Sequence, residues 1–78
     1  MIFTRNEELI LRDLSKYEVV SALGFKASMS VQECSKAAKR LKLLGFIQFL
    51  GFTEDDTNDF FFKRTPKCVE YIKKHKLN

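Results

Sequence analysis

SVQECSKAAKRLKLLGFI, residues 30–47, reads as a capped helix that stops at a glycine and turns directly into a strand. Ser30 is a good N-cap, and Glu33 three residues later completes a capping box. Cys34, Ala37, Ala38, Leu41 and Leu44 recur at helical spacing and form one apolar stripe. At about 100° per residue, Gln32, Ser35, Lys36 and Lys39 fall on the opposite face, with Arg40 and Lys42 flanking it. Gly45 suits the left-handed position just past the helix end. One face of such a helix anchors in a core. The other presents short polar groups near its N-terminus and positive charge further along, a surface that fits the major groove and phosphates of a duplex. An amphipathic helix with a solvated lysine face has the same pattern, so the flanking elements have to discriminate.

Upstream, Thr4 to Leu14 has helical character. Thr4 or Asn6 can cap it, and Glu7 and Glu8 suit its positive end. Phe3, Ile10, Leu14 and Tyr17 project within about 60° of one another at the 3.6-residue period, with Leu11 just beyond. Leu9 points elsewhere. Ser15 and Glu18 form a second capping-box pattern, SKYE, which predicts a helix from about Lys16 to Leu23 that turns Val19, Val20 and Leu23 inward and ends at Gly24. Phe25 to Met29 is then a short connector into the basic helix, giving a helix-turn-helix order.

Downstream, FIQFLGF (46–52) and FFFKRT (60–65) are β-rich runs joined by the acidic, turn-forming TEDDTND (53–59), which predicts a hairpin. Gly51 marks a bulge or a close approach. Strand alternation prevents all three consecutive phenylalanines from facing one side. Phe61 is assigned to the core and Phe60 and Phe62 to the other face. Thr65-Pro66 opens a last helix, with Thr65 as cap and proline at the first helical position. Val69 and Ile72 fall on one side and Tyr71 on the other, and Lys73, Lys74 and Lys76 complement its C-terminal end.

The chain of 78 residues is 45% hydrophobic, which predicts one domain over residues 1–78 with a real but small core. A core of that size contributes only about 3–5 kcal/mol net, and a dimer is a simple source of further stability. Ile2, Phe3, Leu9 and Tyr71 are candidate dimer contacts. The net charge of +4 is unevenly spread. Residues 26–48 carry five positive and one negative group, residues 63–78 six and one, and residues 53–59 four negatives with no positives. Two basic segments attract polyanions by counterion release. No apolar run reaches membrane-spanning length, and Arg5, Glu7 and Glu8 interrupt any signal-peptide pattern, so an intracellular, cytoplasmic location is expected. Cys34, Cys68 and His75 lack metal-site spacing, and no cofactor is expected. The cysteines are buried free thiols, a mutual disulfide, or a bridge to a second copy.

The order helix, helix, helix, hairpin, helix resembles the winged helix-turn-helix of small transcriptional regulators of the MarR-, PadR- and ArsR-like kind. SVQECSKAAKRLKLLGFI is similar to their recognition helix running into "L-x-x-x-G-[LFY]-[IV]" at the first wing strand. FFFKRTPKCVEYIKKHK is similar to their second wing strand and "x-L-T-x-x-G-x-x-x-[LI]-x-K". The match covers most of the chain from Lys16 onward. Its size and its Lys/Phe content also resemble compact winged-helix proteins of archaeal viruses and plasmids, which would place it in the host cell. Departures are Cys68 near a common glycine, Arg64 at a common leucine, and a wing tip carrying Glu54, Asp55, Asp56 and Asp59 where basic residues are usual.

The resemblance implies an α+β, mostly α, winged helix: a three-helix core with helix-turn-helix, a two-stranded β wing and a C-terminal helix. It implies a sequence-specific regulator that binds double-stranded DNA as a homodimer, in the host cytoplasm if viral, with the 31–44 helix in the major groove. Gln32 would pair with adenine and Lys36 or Arg40 with guanine, as their donor patterns require. Ser35 would reach a base or a phosphate, and Lys39, Lys42, Lys63 and Arg64 would hold phosphates. The alternative is a protein-interaction module that captures a basic partner with the acidic 53–59 loop. An enzyme is the least expected class, because no base or nucleophile converges on the acidic cluster, and that cluster lacks the EF-hand glycine and terminal glutamate.

Overall fold

The computed structural model describes residues 2–52 and 59–76. Its elements run α1 (Arg5–Lys16), β1 (Val19–Ser21), a single 3-10 turn (Ala22–Phe25), α2 (Val31–Leu43), β2 (Ile47–Phe52), β3 (Phe60–Arg64) and α3 (Pro66–His75). The strands form one antiparallel sheet in the order β1-β3-β2.

The three α-helices start where their caps dictate. Thr4 Oγ1 accepts from the Glu7 amide and Glu7 Oε1 accepts from the Thr4 amide, closing a capping box on α1. Ser30 and Glu33 do the same for α2. Thr65 caps α3, with Pro66 at its first turn. Gly45 stops the run out of α2 at φ +82°, a backbone region that a side chain rarely occupies.

The expected second helix over Lys16–Leu23 does not form. Its proposed cap, Ser15, is still inside α1 and its hydroxyl donates to the Arg12 carbonyl. Tyr17 takes extended backbone, φ −127° and ψ 138°, so its helical projection onto the core face no longer holds, and it is exposed. The chain then continues extended through the β-branched pair Val19-Val20, which β3 accepts as a partner: Val19 lies opposite Lys63, Val20 opposite Phe62 and Ser21 opposite Phe61. Only one 3-10 turn remains of the predicted helix, and Val19 and Leu23 lie partly exposed rather than inward.

The phenylalanine run alternates in the opposite sense to that expected. Phe60 and Phe62 are buried and Phe61 points away from the core. Phe62 lies between Val20 of β1 and Phe49 of β2, on the sheet face covered by the helices, and its ring stacks on Phe25 at 6.5 Å. The side-chain period of two then sends Phe61 outward. The pairing steps from Phe49–Phe62 to Gly51–Phe61, so Leu50 is the extra residue of a bulge at the glycine, whose φ is +127°.

The core takes Ile10, Leu11 and Leu14 from α1 and Cys34, Ala37, Ala38 and Leu41 from α2, closed below by Phe46, Phe62 and Ile72. Val69 is only partly buried, and Cys68 takes the inward place beside Ile72 on α3. Phe3, Phe46 and Tyr71 form a ring cluster with centroids 5.1–5.8 Å apart. Phe3 and Tyr71 thus pack within their own chain, whereas Ile2 remains exposed. No helix among the described residues is long and apolar enough to cross a membrane.

Candidate nucleic-acid interface

α2 presents two faces that its sequence separates cleanly. Cys34, Ala37, Ala38 and Leu41 are buried in the core. Gln32, Lys36 and Lys39 are exposed and Ser35 is half-buried, and these four share a shallow depression of about 570 Å³ with Arg40 and Leu43. Lys42, also exposed, lies on the other flank. Together with Gln32, Ser35 and Lys39 it borders a second cavity, about 400 Å³, between α2 and the inner side of the hairpin. Among the described residues, Lys36, Lys39 and Lys42 have no carboxylate within ion-pair distance. Among the described residues, the outward face of α2 is therefore a row of unpaired ammonium groups with two uncharged hydrogen-bonding side chains at its N-terminal end.

The remaining predicted contacts are engaged elsewhere. Arg40 pairs with the buried carboxylate of Glu7, donates to the Ile2 carbonyl at 3.1 Å, and sits 5.8 Å from the centre of the Phe3 ring. Its guanidinium is directed along α2 toward the N-terminal segment. Arg64 donates from Nη1 to the Leu14 carbonyl at 2.8 Å, near the negative C-terminal end of α1. Lys63 is half-buried, 3.7 Å from the Glu18 carboxylate. Arg40 ties α2, and Arg64 ties β3, to α1, and Lys63 pairs with Glu18 just past the end of α1.

Two residues unremarked in the sequence belong to the surroundings of the site. Lys67 donates to the Leu44 carbonyl at 2.7 Å and covers the Phe46 ring, satisfying a carbonyl at the C-terminal end of α2. Leu43 is 87% exposed on the outward face. The Leu43-Leu44 pair carried the signal for it, since adjacent helical residues project about 100° apart and one of two neighbouring leucines must lie off the core face.

Of the acidic loop, Glu54, Asp55 and Asp56 lie outside the described residues. Asp59 is buried, and its Oδ1 accepts from the Leu23 amide at 3.0 Å, capping the 3-10 turn across the fold. Hence Asp59 is a structural carboxylate rather than part of a docking loop. Glu33 titrates below its ordinary range because the Ser30 amide, and then the Ser30 hydroxyl, stabilise its anion. Both cysteines are free and buried. Burial pushes each thiol up to about 11, with the Asp59 charge adding to the effect at Cys34 and the Arg64 charge opposing it at Cys68. Such thiols are poor nucleophiles at neutral pH. Among the described residues, no three His, Cys, Asp or Glu side chains are placed to share a metal ion.

No family model matches the chain, and no curated protein matches it in sequence. Solved structures do match in fold. A double mutant of Lactococcus lactis ZitR superposes with a TM-score of 0.76 at 23% identity, covering 97% of this chain and 52% of that one. The same double mutant in apo form gives 0.72 at 24% identity, covering 94% and 55%, and a single mutant of ZitR gives 0.72 at 22%, covering 97% and 52%. The chain spans about half the length of these structures. With its three helices and antiparallel sheet, the protein has the winged-helix fold.

Proposed function

We propose that this chain is a double-stranded-DNA-binding transcriptional regulator that acts as a homodimer and lays α2 in the major groove. The observation that carries the reading is the outward face of α2, where Gln32, Ser35, Lys36 and Lys39 stand together and the lysines are unpaired among the described residues. A helix with this face, held by its other face against a small sheet, matches the width and the charge of a major groove. Gln32 suits an adenine edge and Lys36 a guanine edge, while Ser35, Lys39 and Lys42 contact phosphates. Lys63 and Arg64 add positive potential at the base of the wing. Arg40 acts indirectly, by holding α2 at a fixed angle to the N-terminal segment. The likeness in fold to a ZitR structure supports the winged-helix scaffold that this reading needs.

A homodimer would engage half-sites about one helical turn, roughly 34 Å, apart. The test is selection of duplexes from a random pool at stated salt, followed by titration of the wild type and the Lys36→Ala/Lys39→Ala double variant. A two-fold-symmetric consensus is expected. The double variant should bind more weakly, with a salt slope shallower by about 2. Equal affinity and an equal slope in the two proteins overturn the proposal.

A further inference from the structure

We propose that Leu43 is a specificity-determining residue that reads the 5-methyl group of a thymine at the opposite end of the half-site from the base read by Gln32; this rests on the DNA-binding reading above. Gln32, Lys36, Lys39 and Leu43 follow one another at intervals of four, three and four residues, so at the 3.6-residue period they form a single outward line. Leu43 closes that line, and it borders the same depression as the other three. At 87% exposure it is a large apolar side chain facing water at the C-terminal turn of the helix.

Its neighbours decide what it meets. Lys39 lies one turn back, Lys36 two turns back and Lys42 beside it in sequence, all three exposed. Protein-protein interface cores are depleted in lysine, so a second protein is a poor match for a leucine in this setting. A duplex is a good one: its phosphates take the lysines, and the main apolar feature of its major groove is the thymine methyl. Eleven residues at 1.5 Å set Gln32 and Leu43 about 16 Å apart along the helix, too far to reach the same base pair, with the lysines between them.

The experiment uses a duplex selected by the full chain. Each thymine is replaced in turn by deoxyuridine, which removes only the methyl, and affinity is measured for the wild type and Leu43→Ala. One position per half-site should weaken wild-type binding about fourfold, the equivalent of one buried CH₂-sized group. Leu43→Ala, which removes the contact in both half-sites of the dimer, should bind the thymine duplex about sixteenfold more weakly and be indifferent to uracil at that position. Because the side chain is exposed, the variant should melt with the wild type, which separates lost contact from lost fold. Equal uracil penalties in the two proteins at every position overturn the inference. So does a Leu43→Ala protein that loses affinity through a change in self-association seen by sedimentation, which would make the leucine a protein contact. In either case the Lys36→Ala/Lys39→Ala titration still reports on DNA binding itself; a wild type that retains no duplex overturns both.

Discussion

Leu41 and Leu43 stand two residues apart on α2 and occupy different media, the first with no exposed surface and the second 87% exposed. The same division runs along the whole helix. Its inward line of Cys34, Ala37, Ala38 and Leu41 consists of small or apolar groups, which let the helix approach α1 and the sheet closely. Its outward line is polar and cationic until it reaches a leucine. Arg40 lies on the border between them and belongs with the inward side, because a buried carboxylate and a backbone carbonyl hold its guanidinium. A positive charge on α2 is thus not one kind of feature. Arg40 locates the helix, whereas Lys36 and Lys39 are left for whatever the helix meets.

Four experiments test that division, beginning with the largest effect on stability. Leu41→Ala should cost about 3 kcal/mol in urea unfolding, because it leaves a cavity in a core that is small to begin with. Leu43→Ala should cost less than about 0.5 kcal/mol, as surface changes usually do. Comparable losses for the two leucines would show that the faces are wrongly assigned.

Glu7→Ala should cost about 2 kcal/mol. It removes the reciprocal half of the α1 capping box and the partner of Arg40, but Arg40 keeps access to water, so the loss falls short of that for a wholly buried pair. An Arg40→Ala, Glu7→Ala double-mutant cycle showing no coupling would return Arg40 to the outward set.

Cys34 tests the inward side by pH. Its thiol is raised from 9.0 to about 11 in the fold, so between those values the unfolded chain binds fewer protons than the native one. Stability should therefore be unaffected by this group below about pH 9 and fall as pH rises toward 11, with a slope of at most about 1.4 kcal/mol per unit for one thiol. Urea titrations at stepped pH on the wild type and Cys34→Ala should show a shallower decline in the variant. Parallel curves would place the thiol in contact with water.

The smallest stability effect belongs to Lys36→Ala/Lys39→Ala, within about 0.5 kcal/mol by thermal melting. A larger loss would mean that the lysines hold the fold as Arg40 does.

How far the residues themselves foretold this arrangement varies with the range of the interaction. Thr4 and Ser30 were readable as caps because the partner of each lies three residues away. Ser15 and Glu18 have the same spacing and make no box. There the outcome was set by Phe61–Lys63, more than forty residues later, which recruit Val19–Ser21 into the sheet. The FFF run announced that its members must alternate, but which member faces inward depends on a register shared with two other strands. Within the candidate site, the outward positions of Gln32, Ser35, Lys36 and Lys39 follow from helical periodicity alone. The engagement of Arg40 does not, because Glu7 is 33 residues distant.

The amino-acid order alone determined that residues 31–43 form a helix with one greasy and one cationic side, that Gly45 releases it into a strand, and that Thr65-Pro66 starts the last helix. Each of these follows from contacts within a turn or two of chain, where sterics and local hydrogen bonds dominate. Only the folded molecule decided that Val19–Ser21 is a strand, that Phe60 and Phe62 rather than Phe61 enter the core, that Asp59 caps a turn, and that Arg40 and Arg64 are tethers. In each of those cases two or more local arrangements are close in energy, and a partner far along the chain supplies the hydrogen bonds or the buried surface that separates them.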